Sequence, residues 1–190
     1  MIEVRRTSLP DLLELVPIVH GDERGFFHES FRRDELAGTP LADVHFPQEN
    51  HSRSGAGVLR GMHFQVGHGL GKLVRCARGA IVDVAVDLRA DSPTYRKWEA
   101  FELDDRELHQ LWIPVGFAHG FYTRSPYADV LYKQTGYHSP ELERAIAWND
   151  PDVGIAWPFD GPPTLSAKDA AAPRLREIEA QLAFRYGSGG

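Results

Sequence analysis

The stretch "IVDVAVDLR", residues 81–89, decides the fold class. Val82, Val84, Val86 and Leu88 fall on one face of an extended chain, and Ile81, Asp83, Ala85 and Asp87 fall on the other. This alternation reads as a strand and does not suit a helix. The two acids on one strand face require partners, because an unpaired buried carboxylate is costly.

Working outward, further strand-sized segments follow at close spacing: "FFHESF", "VHFPQENHS", "VLRGMHFQ", "KLVRCARG", "KWEAFEL", "QLWIP", "HGFYTR" and "VLYKQTG". Turn signals such as "SRSGAG", "GHGLG", "LDD" and "SPY" separate them, which is the pattern of an all-β sandwich or barrel. Helical periodicity is confined to "LPDLLELV" and "RRDEL" near the N-terminus and to the tail "SAKDAAAPRLREIEAQLAFRYG". In the tail, Leu175, Ile178 and Leu182 recur at helical spacing and Gly187 is placed to end the element.

The chain has 190 residues, 42% hydrophobic and 25% charged, and neither repeats nor a linker-like segment divide it. A single domain over residues 1–190 is expected, with residues 187–190 ("GSGG") as a flexible tail. The formal charge is −6 with no basic run, so a surface for tracking nucleic acid phosphates is not expected. No run of about 18 apolar residues and no signal-peptide pattern occur, which makes a soluble cytoplasmic protein without membrane contact the expectation. Cys76 is the only cysteine; it reads as a small buried apolar side chain.

The segment "VLRGMHFQ", residues 58–65, sets Arg60 and His63 among apolar neighbours. Taken alone, His63 reads as a core histidine with a satisfied hydrogen bond. Regular alternation puts Arg60 and His63 on opposite faces, so Gly61 is expected to mark a bulge or bend that turns both toward one ligand.

The ordered series "DERGFFHESF", "QENHSRS", "GVLRGMHFQ", "KLVR", "GAIVDVAVDLR", "IPVGFAHGF", "YK", "WNDP", "IAWP" and "LSAKD" resembles the dTDP-4-dehydrorhamnose 3,5-epimerase family over residues 20–172. The resemblance implies a cupin-like double-stranded β-helix (jelly roll), here with short N- and C-terminal helices. It implies a homodimer with strand exchange or a shared site, acting on a dTDP-4-keto-6-deoxyhexose without metal or organic cofactor.

Epimerising a carbon beside a ketone needs a base, an acid across from it and a positive group near the carbonyl oxygen. Through the resemblance, His63 is the base, Asp169 its orienting carboxylate, Tyr132 the acid on the opposite face and Lys72 the cation at the keto oxygen. His119 and Asp83 form a second His–Asp pair, structural or catalytic with equal weight. Arg24 and Arg60 supply guanidinium forks for a diphosphate. Phe27 and Glu29 match positions that reach the thymidine part from a neighbouring subunit, while Gln48, Asn50, His138 and Glu143 count among the substrate contacts.

Two departures stand out. His138 occupies a place where the family commonly has tyrosine, with Tyr137 beside it, and Leu70 stands where many members carry glutamine. The metal-binding H-x-H pattern of other cupins is broken, since the second histidine is Gln65; no metal is expected. Epimerisation at C3, at C5 or at both stays open, as do a cupin-type 3,4-ketoisomerase and a catalytically silent sugar-nucleotide-binding module.

Overall fold

The computed structural model describes residues 2–159 and 161–187. The expected flexible tail therefore lies, beyond Gly187, outside the described residues. Among the described residues thirteen strands dominate: β1 (Glu3–Arg6), β2 (Leu13–Val16), β3 (Val19–Asp22), β4 (Gly25–His28), β5 (Gln48–Gly55), β6 (Leu59–Gln65), β7 (Lys72–Arg78), β8 (Ala80–Asp87), β9 (Trp98–Asp104), β10 (Gln110–Ile113), β11 (Phe117–Thr123), β12 (Tyr127–Gln134) and β13 (Glu143–Ala145). They build a six-stranded sheet in the order β1-β2-β10-β7-β12-β5 and a five-stranded sheet in the order β13-β6-β11-β8-β9, with β3 and β4 as a separate hairpin. The pairing is antiparallel throughout these sheets, and the architecture is the cupin-like jelly roll.

The alternation of "IVDVAVDLR" explains the layers. Ile81 and Ala85 of β8 face inward with Leu111 and Ile113 of β10, Val74 and Cys76 of β7, Val130 of β12 and Phe117 and Phe121 of β11. Val82, Val84 and Val86 face the other way, into a cluster closed by Met62, Phe64, Leu175, Ile178 and Phe184. Each large aliphatic side chain buried in this way stabilises the fold by roughly 1.5–3 kcal/mol. The acids have partners: Asp83 Oδ2 lies 2.8 Å from His119 Nε2, and Asp87 accepts hydrogen bonds from Arg89, Ser92 and Thr94. Burial pushes the Cys76 thiol up to about 12, so it is an inert filler of the inter-sheet core.

The N-terminal helix is corrected. "LPDLLELV" forms a turn, with the Leu12 amide donating to the Leu9 carbonyl, followed by strand β2. Asp11 adopts a φ of 70°, which a helix does not tolerate, and its carboxylate accepts from Arg89 Nη1 at 2.7 Å. Leu13 and Leu15 then bury on one face with period two. "RRDEL" shortens to a 3₁₀ turn over Asp34–Leu36. The tail breaks at Pro173 into α1 (Ala167–Ala170), α2 (Leu175–Ile178) and a 3₁₀ turn over Glu179–Gln181, because proline cannot donate the amide a continuous helix needs. None of the described helices is long and apolar enough to cross a membrane.

Candidate active site

At one end of the sandwich the inner faces carry polar groups in place of the apolar core. Directly paired residues on neighbouring strands share a face. Asn50 pairs with Tyr132, Gln48 with Gln134 and Lys72 with Gln134 on the six-stranded sheet. On the opposing sheet His63 pairs with His119, Ala145 with His63 and Glu143 with Gln65. The two sets enclose a cleft open to solvent. His63, Tyr132, Lys72, Gln48, Asn50, His138 and Glu143 all line it.

Arg60 and His63 reach the same side because β6 is irregular. His119 lies opposite His63 and Phe121 opposite Arg60, so Gly120 alone spans the two residues Gly61 and Met62. The extra residue cancels the alternation. Arg60 then crosses to β5, where Nε donates to Ser54 Oγ at 2.9 Å and Nη2 to the Arg53 carbonyl at 3.1 Å.

His63 Nε2 lies 2.5 Å from Asp169 Oδ1. Asp169 is 4% exposed and its amide donates to Ser166 Oγ, the cap of α1. Burial pushes the Asp169 carboxyl up, but hydrogen bonds from His63, Ser166 and the Gly61 amide outweigh it and hold the group below its ordinary value. It is an ionised partner for the imidazole, and His63 Nδ1 carries no hydrogen bond among the described residues.

Lys72 donates to the His63 carbonyl at 3.4 Å. Desolvation pushes its ammonium down to about 8, against the opposing pull of Asp83 and Glu143. Burial also raises the Tyr132 phenol, helped by Glu143 and opposed by Arg60 and Asn50. At neutral pH, then, lysine is the cation and tyrosine the protonated acid. His119 is buried and desolvation lowers its pKa despite Asp83, which keeps it neutral. Asp83 Oδ1 is buried with no hydrogen-bond partner among the described residues.

Glu143 is held ionised: burial pushes its carboxyl up, and Lys168 Nζ at 2.6 Å more than reverses this. His138 Nε2 lies 3.4 Å from the same carboxylate, and its amide donates to Gln48 Oε1. Leu70 supplies apolar wall to the cleft, and Tyr137 points outward at 71% exposure. Arg24, Phe27 and Glu29 are not brought to this cleft within the chain. Arg24 is exposed on the β3–β4 hairpin and paired with Asp22, Phe27 is 67% exposed, and Glu29 meets Arg32 at 3.3 Å.

Sequence reading missed Gln134, which accepts from Asn50 Nδ2 at 2.9 Å, and Lys168. It also missed Ser166, although a serine three residues before an acid is a recognisable cap signal. Lys168 has no comparable signal. Among the described residues no three His, Cys, Asp or Glu side chains converge as metal ligands.

A family model described as dTDP-4-dehydrorhamnose 3,5-epimerase matches residues 6–177. The chain is 55% identical to the dTDP-4-dehydrorhamnose 3,5-epimerase of Salmonella typhimurium, over 92% of this chain and 96% of that protein. Among solved structures it resembles a Legionella pneumophila dTDP-6-deoxy-D-glucose-3,5-epimerase in complex with dTDP-4-keto-L-rhamnose. There the TM-score is 0.94 with 44% identity, over 98% and 99% of the two chains. It also resembles a 3'-monoepimerase from Streptomyces bikiniensis in complex with dTDP-quinovose, with a TM-score of 0.87 and 33% identity over 93% and 89%.

Proposed function

The chain belongs to the dTDP-4-dehydrorhamnose 3,5-epimerase family, and from that premise we propose that it is an isomerase inverting both C3 and C5 of a dTDP-4-keto-6-deoxyhexose in deoxysugar biosynthesis. The observation that carries this is the His63–Asp169 pair on one wall of the cleft, with Tyr132 and Lys72 on the sheet opposite. Asp169 engages Nε2, so His63 Nδ1 takes the proton from the carbon beside the ketone. The electron pair moves onto the C4 oxygen as an enolate, whose charge the Lys72 ammonium offsets. Tyr132 Oη returns a proton to the other face, then recovers one from water while His63 releases its own. The same cycle at the second carbon completes the double inversion.

Nucleotide binding calls on Arg60 and, in this reading, on Arg24, Phe27 and Glu29 from a second copy in a homodimer. The exposure of Phe27 and its neighbour Phe26 on the hairpin supports that assignment. No metal or organic cofactor enters the scheme.

Incubation with dTDP-4-keto-6-deoxyglucose in deuterated water, followed by NMR, tests the function. Deuterium entering at both C3 and C5 with an L-sugar product is expected. Exchange at one carbon identifies a monoepimerase, a C3 ketone product identifies a ketoisomerase, and an unchanged substrate identifies a binding module. Lys72 gives a second expectation. The ammonium is charged below about pH 8 and neutral above it, so kcat/KM declines as pH rises through about 8. Lys72→Met removes that limb and lowers kcat about 100-fold or more. A pH profile flat from 7 to 9 in the unmodified enzyme contradicts the role given to Lys72.

A further inference from the structure

The motif "WNDP" takes no part in the cleft chemistry, yet its aspartate, Asp150, is 2% exposed. A carboxylate buried so deeply needs a strong structural reason. Its two oxygens are both used: Oδ1 accepts from the Asp152 amide at 2.8 Å, and Oδ2 accepts from the Leu175 amide at 2.6 Å. The second bond joins two distant segments of the chain.

The segment before Asp150 is tied to the catalytic strand. β13 runs beside β6 with Ala145 opposite His63, and Met62 and Ile146 exchange both backbone hydrogen bonds, at 3.3 and 3.0 Å. The chain then turns, and the Ala147 amide donates to the Pro173 carbonyl at 2.8 Å. Residues 147 and 150 thus grip residues 173 and 175, the stretch by which the chain leaves α1. Upstream, α1 is anchored where the Leu59 amide donates to the Thr164 carbonyl at 3.0 Å. A helix of four residues has little rigidity of its own. The position of Asp169 within it depends on both anchors.

We propose that Asp150 is a positioning residue that holds Asp169 within hydrogen-bonding distance of His63, acting through the Leu175 amide and the downstream end of α1. The inference rests on the acid–base reading of His63 and Asp169. Asp150 itself touches neither His63 nor the cleft. Its removal weakens the downstream anchor, leaving the Ala147–Pro173 bond, and lets Asp169 drift from the imidazole, and a displacement of about 1 Å at a catalytic group can lower the rate about 100-fold.

The test uses Asp150→Ala in the full chain with two readouts. One is kcat and KM on dTDP-4-keto-6-deoxyglucose. The other is the low-field proton NMR resonance of the hydrogen bond between His63 Nε2 and Asp169, which needs no turnover. Expected are a kcat lowered about 100-fold, a KM within about twofold of the unmodified enzyme, loss of the resonance, and no further kcat loss when Asp150→Ala is added to Asp169→Ala. Leu103→Ala, which opens a cavity in a core cluster that holds no residue of α1 or α2, serves as a control for destabilisation alone and keeps the resonance.

A folded Asp150→Ala protein with its resonance and kcat intact overturns the proposal, as does additive loss with Asp169→Ala. Should alanine not fold, Asp150→Asn keeps the volume and one acceptor, leaves one of the two amides facing an NH₂ group, and is judged by the same readouts. If the unmodified protein does not epimerise the sugar, the functional reading fails by itself, while the resonance still decides whether Asp150 positions Asp169.

Discussion

Replacing His63 with alanine lowers epimerase turnover by up to about 10⁴-fold, the upper range for loss of a positioned general base. The size of the effect follows from how the cleft is built. His63 is the imidazole paired with a buried carboxylate there, at 2.5 Å, while its neighbour His119 is committed to Asp83 and kept neutral by burial. The carboxylate lining the cleft, Glu143, is tied to Lys168 at 2.6 Å. The fold should survive, because β6 keeps its backbone pairing and its apolar residues Leu59, Met62 and Phe64 stay buried. The loss of one hydrogen bond to Asp169 costs roughly 1–3 kcal/mol. The measurement is deuterium exchange at C3 and C5 by NMR beside a thermal melt. A folded variant that keeps a tenth of the turnover removes His63 from the role of base.

Gly61→Ala is expected to destabilise the protein by about 3 kcal/mol or more. A Cβ at Gly61 would stand 2.6 Å from the Gly120 Cα and 3.2 Å from the His119 carbonyl oxygen, with φ at +141°. Both obstacles are backbone, so no side chain can swing aside. The opposite position is equally tight, since a Cβ on Gly120 would meet Met62 Sδ at 2.6 Å and the Arg60 carbonyl at 2.7 Å. Two glycines facing each other let β6 and β11 approach at the irregularity that brings Arg60 and His63 to one side. Separating them moves the histidine as well, so activity falls faster than the folded fraction does. Gly57→Ala provides the comparison: φ is +77° with nothing within 4 Å, and its cost is about 1 kcal/mol. Denaturant midpoints decide the matter, and equal midpoints for the two variants would show that the close approach at Gly61 is not required.

Much of the fold is legible in the chain because strand alternation is a local property. The faces read from "IVDVAVDLR" are the faces observed, and the segments with turn signals between them became β4 to β12. The N-terminal elements were not legible. "LPDLLELV" satisfies a helical spacing as well as a strand does. The choice was made by Asp11 turning to meet Arg89, and by Leu13 and Leu15 packing with Trp112, contacts that span 78 residues or more.

The site divides in the same way. His63, Lys72, Tyr132 and Asp169 were named from motifs; the cleft brings the first three together, and Asp169 is bonded to His63. The sequence by itself determined which side chains exist to do chemistry, and which strand faces they occupy wherever alternation is regular. Only the tertiary structure decided that Lys168 holds Glu143 ionised and that Asp150 anchors α2. It also decided that Lys72 sits where desolvation lowers its pKa to about 8. Those facts depend on what surrounds each group after folding. Local preference is encoded residue by residue, whereas burial and partnership arise when segments far apart in the chain close on one another.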